Sequence, residues 1–265
     1  MSQSLLTTRN LSKSFADFTA VNELDLDINQ GEIFGFLGPN GAGKTTTIKM
    51  LVGLLKPTSG NIAIGGMDMA LDPVGCKQRT GYIPDRPFLY EKLTGDEYLH
   101  FISSLYPEAA GGKALENAVG YLDLFDLAKW RHHLIEGYSH GMRQKLIMSS
   151  VLMLNQELII VDEPMVGLDP KSARVVKELF RQKAREGTAI FLSTHSMEIA
   201  EELCDRIGII VEGQIRAMGT MDELRAEAGS GNEHLEDIFL QLTGAFELLD
   251  VIRALRGSSL SDKKV

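Results

Sequence analysis

Eight consecutive residues, Gly38-Pro39-Asn40-Gly41-Ala42-Gly43-Lys44-Thr45, follow the spacing Gly-x-x-x-x-Gly-Lys-[Ser/Thr] between an apolar run at 33–37 and a helical pattern opening at Gly43. Glycines allow successive backbone amides to curl around a phosphate, and the N-terminus of the following helix adds a favourable dipole. Lys44 then reaches the β- and γ-phosphates, Thr45 offers a hydroxyl to Mg²⁺, and Thr46 donates to a nearer phosphate. The expected cradle is Gly38, Asn40, Gly41, Ala42, Gly43, Lys44, Thr45 and Thr46. The chemistry it suits is binding of ATP with Mg²⁺.

A second constellation supplies what a phosphate cradle lacks. Leu158-Ile159-Ile160-Val161 is an apolar strand ending in Asp162-Glu163, and a buried strand holds two charges only if they are solvated or paired with cations. Asp162 suits a Mg²⁺ ion and Glu163 suits a water attacking the γ-phosphate. Alone, the pair also reads as two solvated residues at a strand exit. Another apolar run, Ala189 to Leu192, leads to Ser193-Thr194-His195, where an imidazole can donate to a phosphate oxygen and help fix Glu163. Catalytic roles are thus expected for Lys44, Glu163 and His195.

The elements that must hold these residues alternate strand with helix. Strand-like runs at 24–28, 33–37, 158–161, 189–192 and 207–211 are interleaved with helical patterns such as Ser172 to Ala184. This predicts an α/β fold of the P-loop NTPase type, with a mainly parallel sheet covered on both faces, an N-terminal antiparallel β element, an inserted helical subdomain, and ligands at the carboxyl ends of the strands. Between 87 and 150 the texture turns helical. Thr94-Gly95-Asp96-Glu97 has the form of a capping box, and Leu115, Val119, Leu122 and Phe125 recur at helical spacing. A turn at Glu212-Gly213 predicts a hairpin, 222–257 reads as helical, and 258–265 as a frayed tail. Residues 1–225 form the expected nucleotide domain, with 226–265 a short helical extension.

The 265 residues, 44% of them apolar, suffice for one substantial core and a small lobe. A net charge of −9 argues against a broad grip on nucleic acid. The two cysteines, Cys76 and Cys204, have no metal-type spacing and fit a reducing setting. No basic segment followed by an apolar stretch opens the chain, and no apolar run approaches a membrane span, so a chain without leader or anchor is expected. His132-His133 followed by Glu136 has metal-like spacing on an expected helix, but no further ligand or Cys partner lies nearby, and the cluster reads as a solvated face. The acidic run Glu198 to Leu203 reads as an exposed helix face with Ile199 and Leu203 turned inward.

With these residues placed, the chain resembles the ATP-binding cassette family over 5–225. The decisive segment is Tyr138-Ser139-His140-Gly141-Met142-Arg143-Gln144-Lys145, similar to the family signature Leu-Ser-Gly-Gly-Gln. In the family that helix end completes the ATP site of the opposite subunit, which implies nucleotide contacts for Ser139 and Gly141. The resemblance also implies Phe15 against adenine and Gly167-Leu168-Asp169 as the loop communicating between two sites, with Asp169 near nucleotide. Gly81-Tyr82-Ile83-Pro84-Asp85 aligns with the family's glutamine loop but carries Asp85 instead of Gln, implying an approach to Mg²⁺ directly or through water. His140 and Met142 likewise replace Gly and Gln. The segment 234–244 resembles the ending of exporter-type subunits, with Leu235, Ile238, Phe239 and Leu242 packing on the core. The resemblance implies a homodimeric ATP hydrolase that drives a separately encoded permease and associates with the cytoplasmic face of the membrane only through it. Export is favoured. A soluble ATPase of the same type acting outside transport is the alternative.

Overall fold

The computed structural model describes residues 4–107, 109–227 and 235–242. In chain order its elements are β1 (Ser4–Phe15), β2 (Phe18–Asn29), β3 (Ile33–Leu37), α1 (Lys44–Leu51), β4 (Ser59–Ile64), β5 (Met67–Asp68), α2 (Pro73–Gln78) and β6 (Thr80–Ile83). There follow α3 (Gly95–Leu105), α4 (Ala114–Leu124), α5 (His140–Leu152), β7 (Leu158–Asp162), α6 (Pro170–Arg185), β8 (Ala189–Thr194), α7 (Met197–Leu203), β9 (Arg206–Val211), β10 (Gln214–Gly219), α8 (Met221–Glu227) and α9 (Leu235–Leu242).

Two sheets organise these elements. The larger has the order β10-β9-β3-β8-β7-β6, parallel except for the β9–β10 hairpin, and the smaller is antiparallel, β2-β1-β4-β5. The period-two alternation of strands assigns the faces of the larger sheet. Phe34, Phe36, Leu158, Ile160 and Phe191 point towards α1 and the antiparallel sheet. Phe191 packs on Phe34 and Phe36 with ring centroids 6.0 and 5.1 Å away. Ile33, Ile159, Val161, Ile190 and Leu192 point the other way, onto α5, α6 and the inserted helices. Burial on both faces explains why these strands are continuous apolar runs.

The insertion is helical and shares a core with the sheet: Leu99, Leu122, Phe125 and Leu146 pack in one cluster with Val161 and Phe180. Thr94 caps α3 reciprocally with Glu97, as the spacing predicts. In α4 the inward stripe is Ala114, Ala118 and Leu122, continued by Phe125, while Val119 is exposed. The expected stripe is therefore corrected at its start by one residue, from Leu115 and Val119 to Ala114 and Ala118, with Leu115 half-buried against the same core. The segment around His132 and His133 is not a regular helix but turns leading to a 3-10 turn at Ile135–Gly137; the His133 ring lies tilted beside Trp130, with centroids 5.1 Å apart. Among the described residues no group of three potential ligands forms a metal site.

Leu203 of α7 is buried and Ile199 half-buried, as the sequence predicts. α8 and α9 cover the β9–β10 end of the sheet, where Leu224, Leu235 and Ile238 are buried with Leu37 and Ile209, and Phe239 packs beside them. The boundary expected at 225 falls inside α8. The side chain of Leu242, the tail at 258–265 and the rest of the expected 222–257 helix beyond α8 and α9 lie outside the described residues. No helix among the described residues is long and apolar enough to cross a membrane.

Candidate functional site

Strands β3, β6, β7 and β8 run parallel, so their carboxyl ends meet at one sheet edge. Leu37 pairs with Thr194, Asp162 with Ser193 and Ile83 with Val161. The loops leaving these ends carry 38–43, Asp85, Glu163 and His195, and together they enclose a cleft of about 510 Å³. Pro39, Asn40, Gly41, Gly43, Lys44, Thr45, Thr46, Asp85, Asp162, Glu163 and His195 all line it.

The phosphate loop is braced from behind by the Glu212-Gly213 hairpin turn, a contact that no local pattern signals. Gly213 N–H donates to the Ala42 carbonyl at 2.9 Å, and Asn22 N–H donates to the Gly213 carbonyl at 2.9 Å. Gly43 has φ 106°, and a Cβ there would lie 2.5 Å from the Ala20 carbonyl oxygen, so both conformation and space demand glycine. Gly38 and Ala42 sit behind the cleft lining; a Cβ on Gly38 would lie 2.4 Å from the Ile210 oxygen. Lys44 Nζ donates to the carbonyls of Gly38 and Pro39 at 2.6 and 3.1 Å. Burial lowers the Lys44 pKa, and the nearby Glu163 and Asp162 carboxylates oppose that shift.

Across the cleft, Asp162 is buried and its pKa is raised, chiefly by desolvation, with the neighbouring Glu163 and Asp85 charges adding to the rise. A buried carboxylate under that pressure is suited to a cation. Glu163 is held by three contacts. His195 Nδ1 lies 2.7 Å from Oε1, Thr194 Oγ1 donates to Oε2 at 3.2 Å, and the Glu163 amide donates to the Ser193 carbonyl at 2.9 Å. Its φ of 49° lies in the left-handed region, a strain of about 1–3 kcal/mol for a non-glycine residue. The surrounding hydrogen bonds fix this turn, which aims the carboxylate into the cleft.

Four expected residues sit elsewhere. Ser139 Oγ accepts from the Met142 amide at 3.3 Å and caps α5, and neither Ser139 nor Gly141 lines the cleft of its own chain. Asp169 caps α6, accepting from Ser172 N and Oγ at 2.9 and 2.6 Å, and is also outside the cleft lining. Phe15 pairs across the β1–β2 hairpin with Phe18, and it is Phe18 that lines the cleft. Phe15 is 47% exposed, with Lys13 Nζ 5.1 Å from its ring centre. Phe15 and Phe18 are thus cross-strand partners at the two-residue turn, and of the two only Phe18 is part of the cleft lining. Phe18, Ala20, Val166 and Thr194 complete the site without a sequence signal of their own, although Thr194 immediately precedes His195.

Comparison with known proteins agrees with this geometry. The profile of the family described as ABC transporter matches residues 21–166, and one described as AAA domain, putative AbiEii toxin, Type IV TA system matches 132–201. The linearmycin resistance ATP-binding protein of Bacillus subtilis is 37% identical over 90% of this chain and 75% of its own length. The fluoroquinolones export ATP-binding protein of Mycobacterium tuberculosis is 41% identical over 78% and 67%. A solved ATP-binding subunit of an ABC transporter superposes with a TM-score of 0.87 at 32% identity, covering 91% of this chain and all of that one. A dimeric cassette in a post-hydrolysis state bound to ADP and Pi shares the fold, with a TM-score of 0.73 at 23% identity over 82% and 99%.

Proposed function

This chain belongs to the ABC transporter family as an ATP-binding, ATP-hydrolysing cassette, and on that premise we propose that two copies close around two ATP molecules to drive a separately encoded permease. The observation that carries the reading is the Glu163 carboxylate, held between His195 at 2.7 Å and Thr194 at 3.2 Å on the wall facing the Lys44 loop.

In this reading the phosphates lie on the amides of 38–46, and Lys44 exchanges its bonds to the Gly38 and Pro39 carbonyls for the β- and γ-phosphates. Phe18, with Phe15 beside it, supplies the aromatic surface next to the base. The hard oxygen donors Thr45, Asp162 and Asp85 fit Mg²⁺, which when bound neutralises charge developing on the phosphate oxygens. Glu163 orients and polarises the attacking water, whose oxygen bonds to the γ-phosphorus as the bond to ADP breaks. His195 steadies Glu163 and donates towards the γ-phosphate.

Ser139 and Gly141 are absent from the cleft of their own chain, which supports their contacting nucleotide bound to the other copy. Asp169 would then act at the same subunit boundary. The drug-export and resistance names of the two relatives support export, and in this reading the cassette is attached to the cytoplasmic face of the membrane through the permease. Residues 1–225, with the helical insertion at 87–150, would be the motor, and the segment after them would be an accessory extension.

Complementation tests the composite site. Lys44→Ala and Ser139→Arg should each silence a homodimer, whereas a mixed dimer carrying one of each should regain one working site and about half the parental phosphate release at most. Complete inactivity in a correctly assembled mixed dimer would place each site within a single subunit.

A further inference from the structure

The loop that leaves Glu163 is fastened to α5 at three points that the cleft does not use. Gly141 comes so close to Gly167 that a Cβ on it would lie 2.8 Å from the Gly167 carbonyl oxygen. Gly167, at φ 78°, lies under the His140 imidazole; a Cβ there would be 2.3 Å from His140 Cδ2. One turn further along α5, Lys145 Nζ donates to Asp169 Oδ2 at 3.1 Å. The Lys145 side chain is only 15% exposed, and it is anchored on a helix whose next residues, Leu146 to Leu152, are buried. Its mobility is therefore small for a lysine.

Between these fastenings and Glu163 the loop is short and internally bonded. Leu168 N–H donates to the Met165 carbonyl at 3.3 Å and Val166 N–H to the Glu163 carbonyl at 3.2 Å. Val166 itself lines the cleft. Asp169 thus stands only six residues along this bonded loop from a glutamate whose backbone lies in the left-handed region.

We propose that Lys145 is a positioning residue for hydrolysis: through Asp169 it latches the 163–169 loop to α5 and so holds Glu163 where it can orient water. The inference rests on the assignment of Glu163 above. It adds a path by which displacement of the inserted helices alters turnover within the same chain.

Lys145→Met, of similar length without charge, and Lys145→Arg, which keeps the ion pair, test it in the full-length chain. In Lys145→Met, kcat should fall about tenfold, because a misplacement well under 1 Å suffices for that loss. KM and ATP affinity should stay within about twofold, since the cradle is untouched, and the melting temperature should fall by no more than about 4 °C, the loss expected of one partly exposed ion pair. Hydrogen exchange should speed up at the Val166 and Leu168 amides but not in β7. Lys145→Arg should restore both turnover and protection. Unchanged kcat and unchanged exchange in Lys145→Met would overturn the proposal, as would a joint loss of affinity, turnover and melting temperature, which would make Lys145 merely structural. Because exchange is read without turnover, a catalytically silent parent chain would count against Glu163 while still deciding whether the latch exists.

Discussion

Glu163 combines a left-handed backbone, a short contact to His195 and a hydroxyl donor from Thr194, and each of these restricts where its carboxylate can point. His195 is 66% exposed at the side chain, so its removal should leave packing intact while freeing one carboxylate oxygen. His195→Ala is therefore expected to lower kcat by about 100-fold with little change in KM, measured by steady-state phosphate release. An unchanged kcat would assign the histidine to structure. At this scale the sequence reveals the groups whose chemistry needs a fixed spacing: Lys44 within the glycine loop, and Asp162-Glu163 at the end of an apolar run. It conceals the groups that act by placement alone. Thr194 bonds Glu163 only because β8 lies beside β7, and Phe18 reaches the cleft only through the geometry of a two-residue turn. Gly213 supports the phosphate loop from across the sheet, a contact between positions 171 residues apart (213 − 42) that no local pattern encodes.

Helix termini organise the next scale. Asp169 caps α6, with Pro170 at its first position, and is bound by Ser172 and Lys145. The Ser172 hydroxyl, then its amide, then Lys145 hold the Asp169 carboxyl well below the usual carboxylate range. A depressed folded value contributes stability above the unfolded pKa and loses it as pH falls through the folded value. Through loss of the helix cap, Asp169→Ala should cost about 1 kcal/mol near neutral pH. The gap between it and the parent should narrow as the solution becomes strongly acidic; denaturant titrations across that range check the sign, and a gap that widens in acid would contradict it. Of the strands legible in sequence, β3, β7, β8 and β9 are continuous apolar runs buried on their strand interiors, whereas the run at 24–28 belongs to β2, where buried Leu24, Leu26 and Ile28 alternate with exposed residues. β6 is less visible because Thr80-Gly81-Tyr82 interrupts its apolar character and a Cβ on Gly81 would collide with Gln156 at 2.7 Å. The first residues of α4 mislead because alanine, rather than leucine or valine, faces the neighbouring helix.

For the whole molecule, the cleft presents one lysine, Lys44, to three carboxylates, Asp85, Asp162 and Glu163, while the signature serine and glycine lie away from it. A single chain thus has a triphosphate cradle with one wall supplied by its own strands and, in our reading, the other by a second copy. That arrangement makes closure depend on nucleotide and reopening depend on hydrolysis. The most direct test is Glu163→Gln in the full chain, with oligomeric state and phosphate release followed together at saturating ATP and Mg²⁺. The amide keeps the size of the side chain but cannot accept a proton from water. We expect ATP-dependent dimers to accumulate while phosphate release falls at least about 100-fold. Hydrolysis at the parental rate, with the chain remaining monomeric in ATP, would contradict the account.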